Sequence, residues 1–218
     1  MRLPFSRVAF LGVFEVYNTW LWPFALGLWL ATALAFVVYV RGRDRSSWTF
    51  GLLAVLWAWG AIAYHLALFT WINPAAWIFA VGFLVEAGLL IWYGGRGALR
   101  FSRGRTLQKR VAYALIIYGL LYPVIALIGA HSYPRVPTFG VPCPTTIVTI
   151  GFLLLVSRPV PRLLTIVPML WVVVGGSAAF LLGMYADLAL LAAGVSLGVF
   201  AMSRRSSLAW PVTKDRRC

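Results

Sequence analysis

Cys143, His65 and His131 are the side chains here best suited to chemistry. They are one thiol and two imidazoles in a chain of 218 residues with only two cysteines, two histidines and five acids. Cys143 and His131 share the segment His131 to Thr146, HSYPRVPTFGVPCPTT, which holds four of the twelve prolines. Each proline ring fixes φ, removes an amide donor and pushes its predecessor into an extended conformation. The segment is therefore read as a shaped, rigid loop. An apolar run begins directly after it, so Pro144 fits the first helical position and Cys143 falls near the N-cap. Unpaired amides and the positive end of the helix dipole would there favour thiolate over thiol, which makes Cys143 a candidate metal ligand or nucleophile. The plainer alternative is a small buried apolar sulfur beside a proline-defined helix start.

Two imidazoles, a thiolate and a carboxylate suit a borderline or soft cation, with zinc, copper or mercury as the metals such donors select. His65, His131 and Cys143 are the ligands this reading names, with Asp187 as the carboxylate. The spacing carries neither C-x-x-C nor H-x-x-x-H, so the reading rests on which side of a membrane the groups share. The same residues also allow Cys143 as nucleophile with His65 or His131 as base, or the two histidines as axial haem ligands. Each also has a structural reading. His65 can be a histidine bonded to a neighbouring carbonyl, Asp187 a cap on the helix that follows it, and Glu86 a hydrogen-bonded structural carboxyl rather than a proton relay.

The elements that must position these groups are membrane spans. Hydrophobic residues make up 62% of the chain and charged residues 11%, with mean hydropathy +0.88, far from the roughly 25% charged residues of a soluble protein. The expected fold is an all-α integral membrane protein forming one membrane domain. Its seven transmembrane helices lie near residues 20–40, 48–70, 75–93, 111–130, 144–157, 163–182 and 185–203, and residues 204–218 form a basic tail. Most of these runs approach the roughly 20 residues needed to cross a bilayer, and the fifth, being short, is expected to be recessed in the protein. Residues Phe5 to Tyr17 mix apolar and charged positions and read as a short interfacial helix, with Asn18 and Pro23 marking the start of the first span. Glu15 interrupts the apolar start of the chain, and no cleavable signal is apparent. Trp20, Trp22, Trp48, Trp71, Trp77 and Trp92 fall near span ends, as interfacial anchors do. Gly175, Gly176, Gly194 and Gly198 would let the last two helices approach closely.

The net charge of +14 would suggest nucleic acid in a soluble domain. Here sixteen of the nineteen basic residues lie in alternate connections and the tail, leaving Arg2, Arg7 and Arg135 for the other face. By the positive-inside rule the N-terminus is extracytoplasmic and the C-terminus cytoplasmic. The basic residues then report orientation and contact with anionic lipids at the cytoplasmic face of a bacterial inner membrane, not a nucleic-acid partner. That topology puts Cys143 and Cys218 on opposite sides, which excludes a disulfide between them. It also gathers the rare polar residues on one side: Tyr17 and Asn18 before the first span, His65 and Asn73 around the end of the second, His131 and Tyr133 after the fourth, then Cys143 and Asp187. Glu86 lies deeper, near the bilayer centre, where an ionisable group marks a functional position by default. No span holds a lysine to carry retinal, and three spans, a linker span and three more would suit a transporter. A homo-oligomer is compatible with the pattern.

Val13-Phe14-x-x-Tyr17-Asn18, Tyr64-His65, Ile72-Asn73-Pro74-Ala75-Ala76, Pro168-x-x-Trp171, Asp187 and above all His131-x-Tyr133-Pro134-x-x-Pro137-x-Phe139-Gly140-x-Pro142-Cys143-Pro144-Thr145-Thr146 resemble a family of bacterial multispanning membrane proteins described only as a domain of unknown function. The resemblance covers nearly the whole chain. It implies a membrane-embedded protein and no particular activity, although some members are labelled permeases. Three functional expectations follow: a small transporter or permease with an outward-facing polar pocket, handling a soft or borderline metal ion; a membrane-embedded enzyme with Cys143 as nucleophile; and a structural or sensory subunit in which these residues only pack.

Overall fold

The computed structural model describes residues 4–102, 106–128, 132–157 and 159–206. Its helices are α1 (Arg7–Val40), α2 (Ser46–Trp59), α3 (Ala76–Gly95), α4 (Thr106–Ile128), α5 (Pro142–Leu154), α6 (Leu163–Leu182) and α7 (Ala189–Ser206). Helix α2 runs on through a wide π-helical segment (Gly60–Leu66), and a 3-10 turn (Phe69–Trp71) precedes α3. A second 3-10 turn (Tyr185–Leu188) leads into α7. Six segments are long and apolar enough to cross a membrane, and α5 is a shorter apolar helix. The chain is an all-α multi-pass membrane protein. All six tryptophans expected at span ends are exposed, as are many of the apolar side chains of α1, α3 and α6.

Helix α5 is the axis of the bundle. At 13 residues it is only about 20 Å long, too short to cross a hydrocarbon core of about 30 Å. Every residue of it except Cys143 is buried, so the irregular backbone at its two ends is covered by protein, the condition under which such backbone is tolerated at membrane depth. It begins at Pro142, two residues earlier than the sequence suggests, because Pro142 itself takes the first helical position behind the extended Val141. Cys143 therefore lies inside the first turn and not at the cap. The helix also stops earlier than expected. Ser102 donates its amide to the Leu155 carbonyl at 2.8 Å and Ser157 donates to Arg100 at 2.8 Å, so the chain after Leu154 is drawn out against Phe101.

Apolar burial provides little drive between helices already in lipid, so close packing and interhelical hydrogen bonds hold the bundle. The Trp57 indole donates to Thr149 at 2.9 Å, Trp29 to the Leu120 carbonyl at 2.8 Å, and Tyr118 to the Ala186 carbonyl at 2.8 Å. The Gln108 amide bonds the Leu154 carbonyl at the end of α5. Of the glycines expected between the last two helices, Gly176 and Gly194 meet Leu191 and Val172 closely, and Gly198 faces open space. Helices α4 and α5 meet at Gly151. A Cβ there would stand 2.7 Å from Ile116 Cγ1, 3.1 Å from the Ala112 carbonyl and 3.3 Å from the Ile116 amide. Two of those neighbours are backbone and cannot rotate away. Gly151→Ala is therefore expected to cost about 1–3 kcal/mol as overpacking, read as a lower melting temperature in detergent. An unchanged melt would mean that α4 and α5 are not in contact there.

Helix α1 departs from the sequence reading. It is continuous from Arg7 through Asn18 and Pro23, not an interfacial helix followed by a span. Its 34 residues correspond to about 51 Å, well over the hydrocarbon thickness. The helix is thus longer than one perpendicular crossing needs, and its turn holding Tyr17 and Asn18 lies beside the proline loop.

Candidate functional site

One turn of α1 grips the proline loop. Asn18, 1% exposed, donates through Nδ2 to the carbonyls of Pro134 and Val136, each at 2.7 Å, and its Oδ1 accepts the Thr138 hydroxyl at 2.6 Å. Tyr133 reaches back to the Asn18 carbonyl at 3.3 Å. The Tyr17 hydroxyl donates to the Phe139 carbonyl at 3.0 Å and accepts the Trp59 indole N–H at 2.8 Å. Outside these, Arg135 pairs with Glu15 at 2.6 Å. The loop turns at Gly140, whose φ is 84°, and Val141 then feeds Pro142 and Cys143 into α5.

Below this clamp lies a cavity of about 170 Å3 lined by side chains from α1, α3, α4, α5, α6, the π-helical segment and both 3-10 turns. Cys143, Asp187, Asn73, Tyr122 and Trp171 line it. The Tyr122 hydroxyl donates to Asp187 Oδ1, and the Cys143 thiol lies next to the same carboxylate and near the Trp171 indole. Asp187, read from the sequence as a pocket residue with a helix cap as the structural alternative, turns its carboxylate towards Tyr122 on α4. It is 6% exposed, and the single ion pair among the described residues is that of Arg135 with Glu15. The acid therefore meets its neighbours without a basic partner. Trp171 is more than nine-tenths buried and lines the cavity, and its indole N–H has no hydrogen bond among the described residues.

The other sequence-picked residues take different positions. Asn73 lines the cavity, and its Oδ1 also accepts the Ala75 amide at 3.1 Å, setting the turn into α3. Tyr17, Asn18 and Tyr133 act on the loop, and Asn18 and Tyr133 border a separate groove with Trp22 and Pro123. His65 stands behind the cavity in the π-helical segment. Its ring packs edge-on against Phe83 at 4.8 Å and Trp171 at 5.2 Å, and neither nitrogen has a hydrogen-bond partner among the described residues. Glu86 is fully buried on α3, and neither of its oxygens has a hydrogen-bond partner among the described residues. His131 lies outside the described residues. Among those described, no three His, Cys, Asp or Glu side chains come together as a metal-holding group.

Tyr122 was not singled out in the sequence, and Trp171 only as part of a motif, since neither residue type signals chemistry alone. The available clue for Tyr122 was a phenol beside Pro123 in the middle of an apolar run, where a hydroxyl needs a partner. No curated protein and no solved structure is detectably similar to this chain. The model of a family of unknown function, DUF6064, matches residues 7–209, and the chain belongs to that family.

Proposed function

We propose that the protein is a small permease of the bacterial inner membrane whose cavity opens towards the extracytoplasmic side and receives a cationic cargo. The observation that supports this reading is the meeting of Cys143 and Asp187, from α5 and the turn before α7, in a cavity where the carboxylate has no basic partner among the described residues. A buried acid without a counter-charge is costly in an apolar medium, and a bound cation relieves that cost. The thiol adds soft and borderline metal ions, zinc, copper or mercury, to the cargoes the site could hold. Glu86, fully buried on α3 and without a hydrogen-bond partner among the described residues, supplies the next polar step inward.

The orientation rests on the basic residues: Arg41, Arg43 and Lys109 border one pocket at the end of the bundle away from the cavity, where they would meet anionic lipid headgroups. A homo-oligomer remains compatible with the exposed apolar faces.

Proteoliposomes carrying the full-length chain, tested with zinc, copper(I) and small amines, check the reading. Uptake of at least one of these cations is expected, reduced at least tenfold in both Cys143→Ser and Asp187→Asn. Uptake no faster than in empty liposomes, or equal in the variants, would leave the polar residues a packing role.

A further inference from the structure

The two ends of the cavity differ in chemistry. One is an aromatic cluster: Phe10 contacts Phe14 at 5.0 Å and Phe69 at 6.1 Å, and Phe5 contacts Phe69 at 5.4 Å, all four rings lining the space. The other gathers Asp187, Tyr122 and Cys143, and the Tyr64 ring, stacked on Phe14 at 5.8 Å and on Phe69 at 5.6 Å, lines the same space. Tyr122 donates to Asp187 Oδ1 and the Cys143 thiol lies next to the same carboxylate, but a carboxylate has about four acceptor sites, which leaves capacity for a ligand's donor. At about 170 Å3 the cavity is smaller than the roughly 300–1,000 Å3 typical of drug-sized ligands. A bare metal ion would have to shed its water against phenylalanine, whereas a cation that carries its own hydrocarbon would not.

Resting on the permease reading, we propose that the cargo is a small amphipathic amine. Its ammonium group bonds the Asp187 carboxylate, while its compact apolar body lies against Phe10, Phe14 and Phe69. The apolar wall favours a cation that carries its own hydrocarbon over strongly hydrated ones, and the carboxylate selects against neutral molecules of the same shape. Each requirement comes from a different side of one cavity, so the pair defines a ligand class more narrowly than either does.

The test uses full-length protein in nanodiscs, with cyclohexylamine as probe and cyclohexanol as its neutral counterpart. Cys143 is partly exposed, so its alkylation by N-ethylmaleimide can be followed by peptide mass spectrometry, with Cys218 as internal reference. Cyclohexylamine is expected to slow labelling of Cys143 at least fivefold and leave Cys218 unchanged, whereas cyclohexanol at the same concentration protects neither. Calorimetry should show at least a tenfold weaker amine affinity in Asp187→Asn. Equal protection by the alcohol, or undiminished amine binding in the variant, overturns the assignment. Protection by zinc with none by the amine also overturns it while leaving a cation permease standing. Protection by neither cation removes both.

Discussion

Asn18→Ala is expected to lower the melting temperature of the purified protein by about 10 °C. The side chain satisfies two carbonyls, those of Pro134 and Val136, and accepts from Thr138. Removing it leaves all three groups without their partner, and each buried orphan costs about 1–3 kcal/mol. The total is about 3–5 kcal/mol after relaxation, and at roughly 2–4 °C per kcal/mol for a chain of this size the shift follows. Asn18→Asp is the sharper comparison. It keeps the shape but turns two donated hydrogen bonds into oxygen facing oxygen, so it should melt no higher than the alanine variant. An aspartate variant as stable as the native protein would mean that Asn18 does not hold the loop. The same substitutions should speed alkylation of Cys143, because the loop they release leads directly into the first turn of α5.

Gly140→Ala acts on the same clamp from the loop side and is expected to cost about 3 kcal/mol. Two effects combine. The backbone at φ 84° disfavours any residue with a Cβ, by about 1–2 kcal/mol. The new methyl would also stand 2.7 Å from the Tyr17 hydroxyl and 3.2 Å from the Trp59 indole nitrogen, which forces apart the hydrogen bonds linking Trp59, Tyr17 and the Phe139 carbonyl. Tyr17→Phe separates the two contributions. It removes the hydroxyl and its bonds but keeps the backbone strain-free, so it should cost only about 1–2 kcal/mol. Melting curves of the three proteins in one detergent give the comparison. A glycine variant no less stable than Tyr17→Phe would show that the turn is not confined to its left-handed conformation.

Helix number, the buried fifth helix and the exposed tryptophans were legible because each depends on local composition: a run of apolar residues either reaches across a bilayer or does not. Element ends were less legible. The start of α1 was misjudged because Asn18 and Pro23 resemble boundary residues, yet Asn18 satisfies its amide by distant loop carbonyls, which a helix interior permits. The end of α5 was misjudged because pairing of Ser157 and Ser102 with Arg100 and Leu155 joins segments far apart along the chain.

The sequence alone determined that this is a membrane bundle with a rigid proline loop and a handful of rare polar side chains outside the basic connections. Tertiary structure alone decided which of them share a cavity. Cys143 and Asp187 meet there, joined by Tyr122 and Trp171, while His65 is enclosed by aromatic rings and Asn18 is committed to loop carbonyls. The physical reason is that hydropathy records each residue's preference for lipid or water one position at a time. Which donor meets which acceptor depends on the rotation of whole helices about their axes. That rotation is set by close contacts such as Gly151 against α4 and by hydrogen bonds spanning a hundred residues or more, as from α1 to the proline loop.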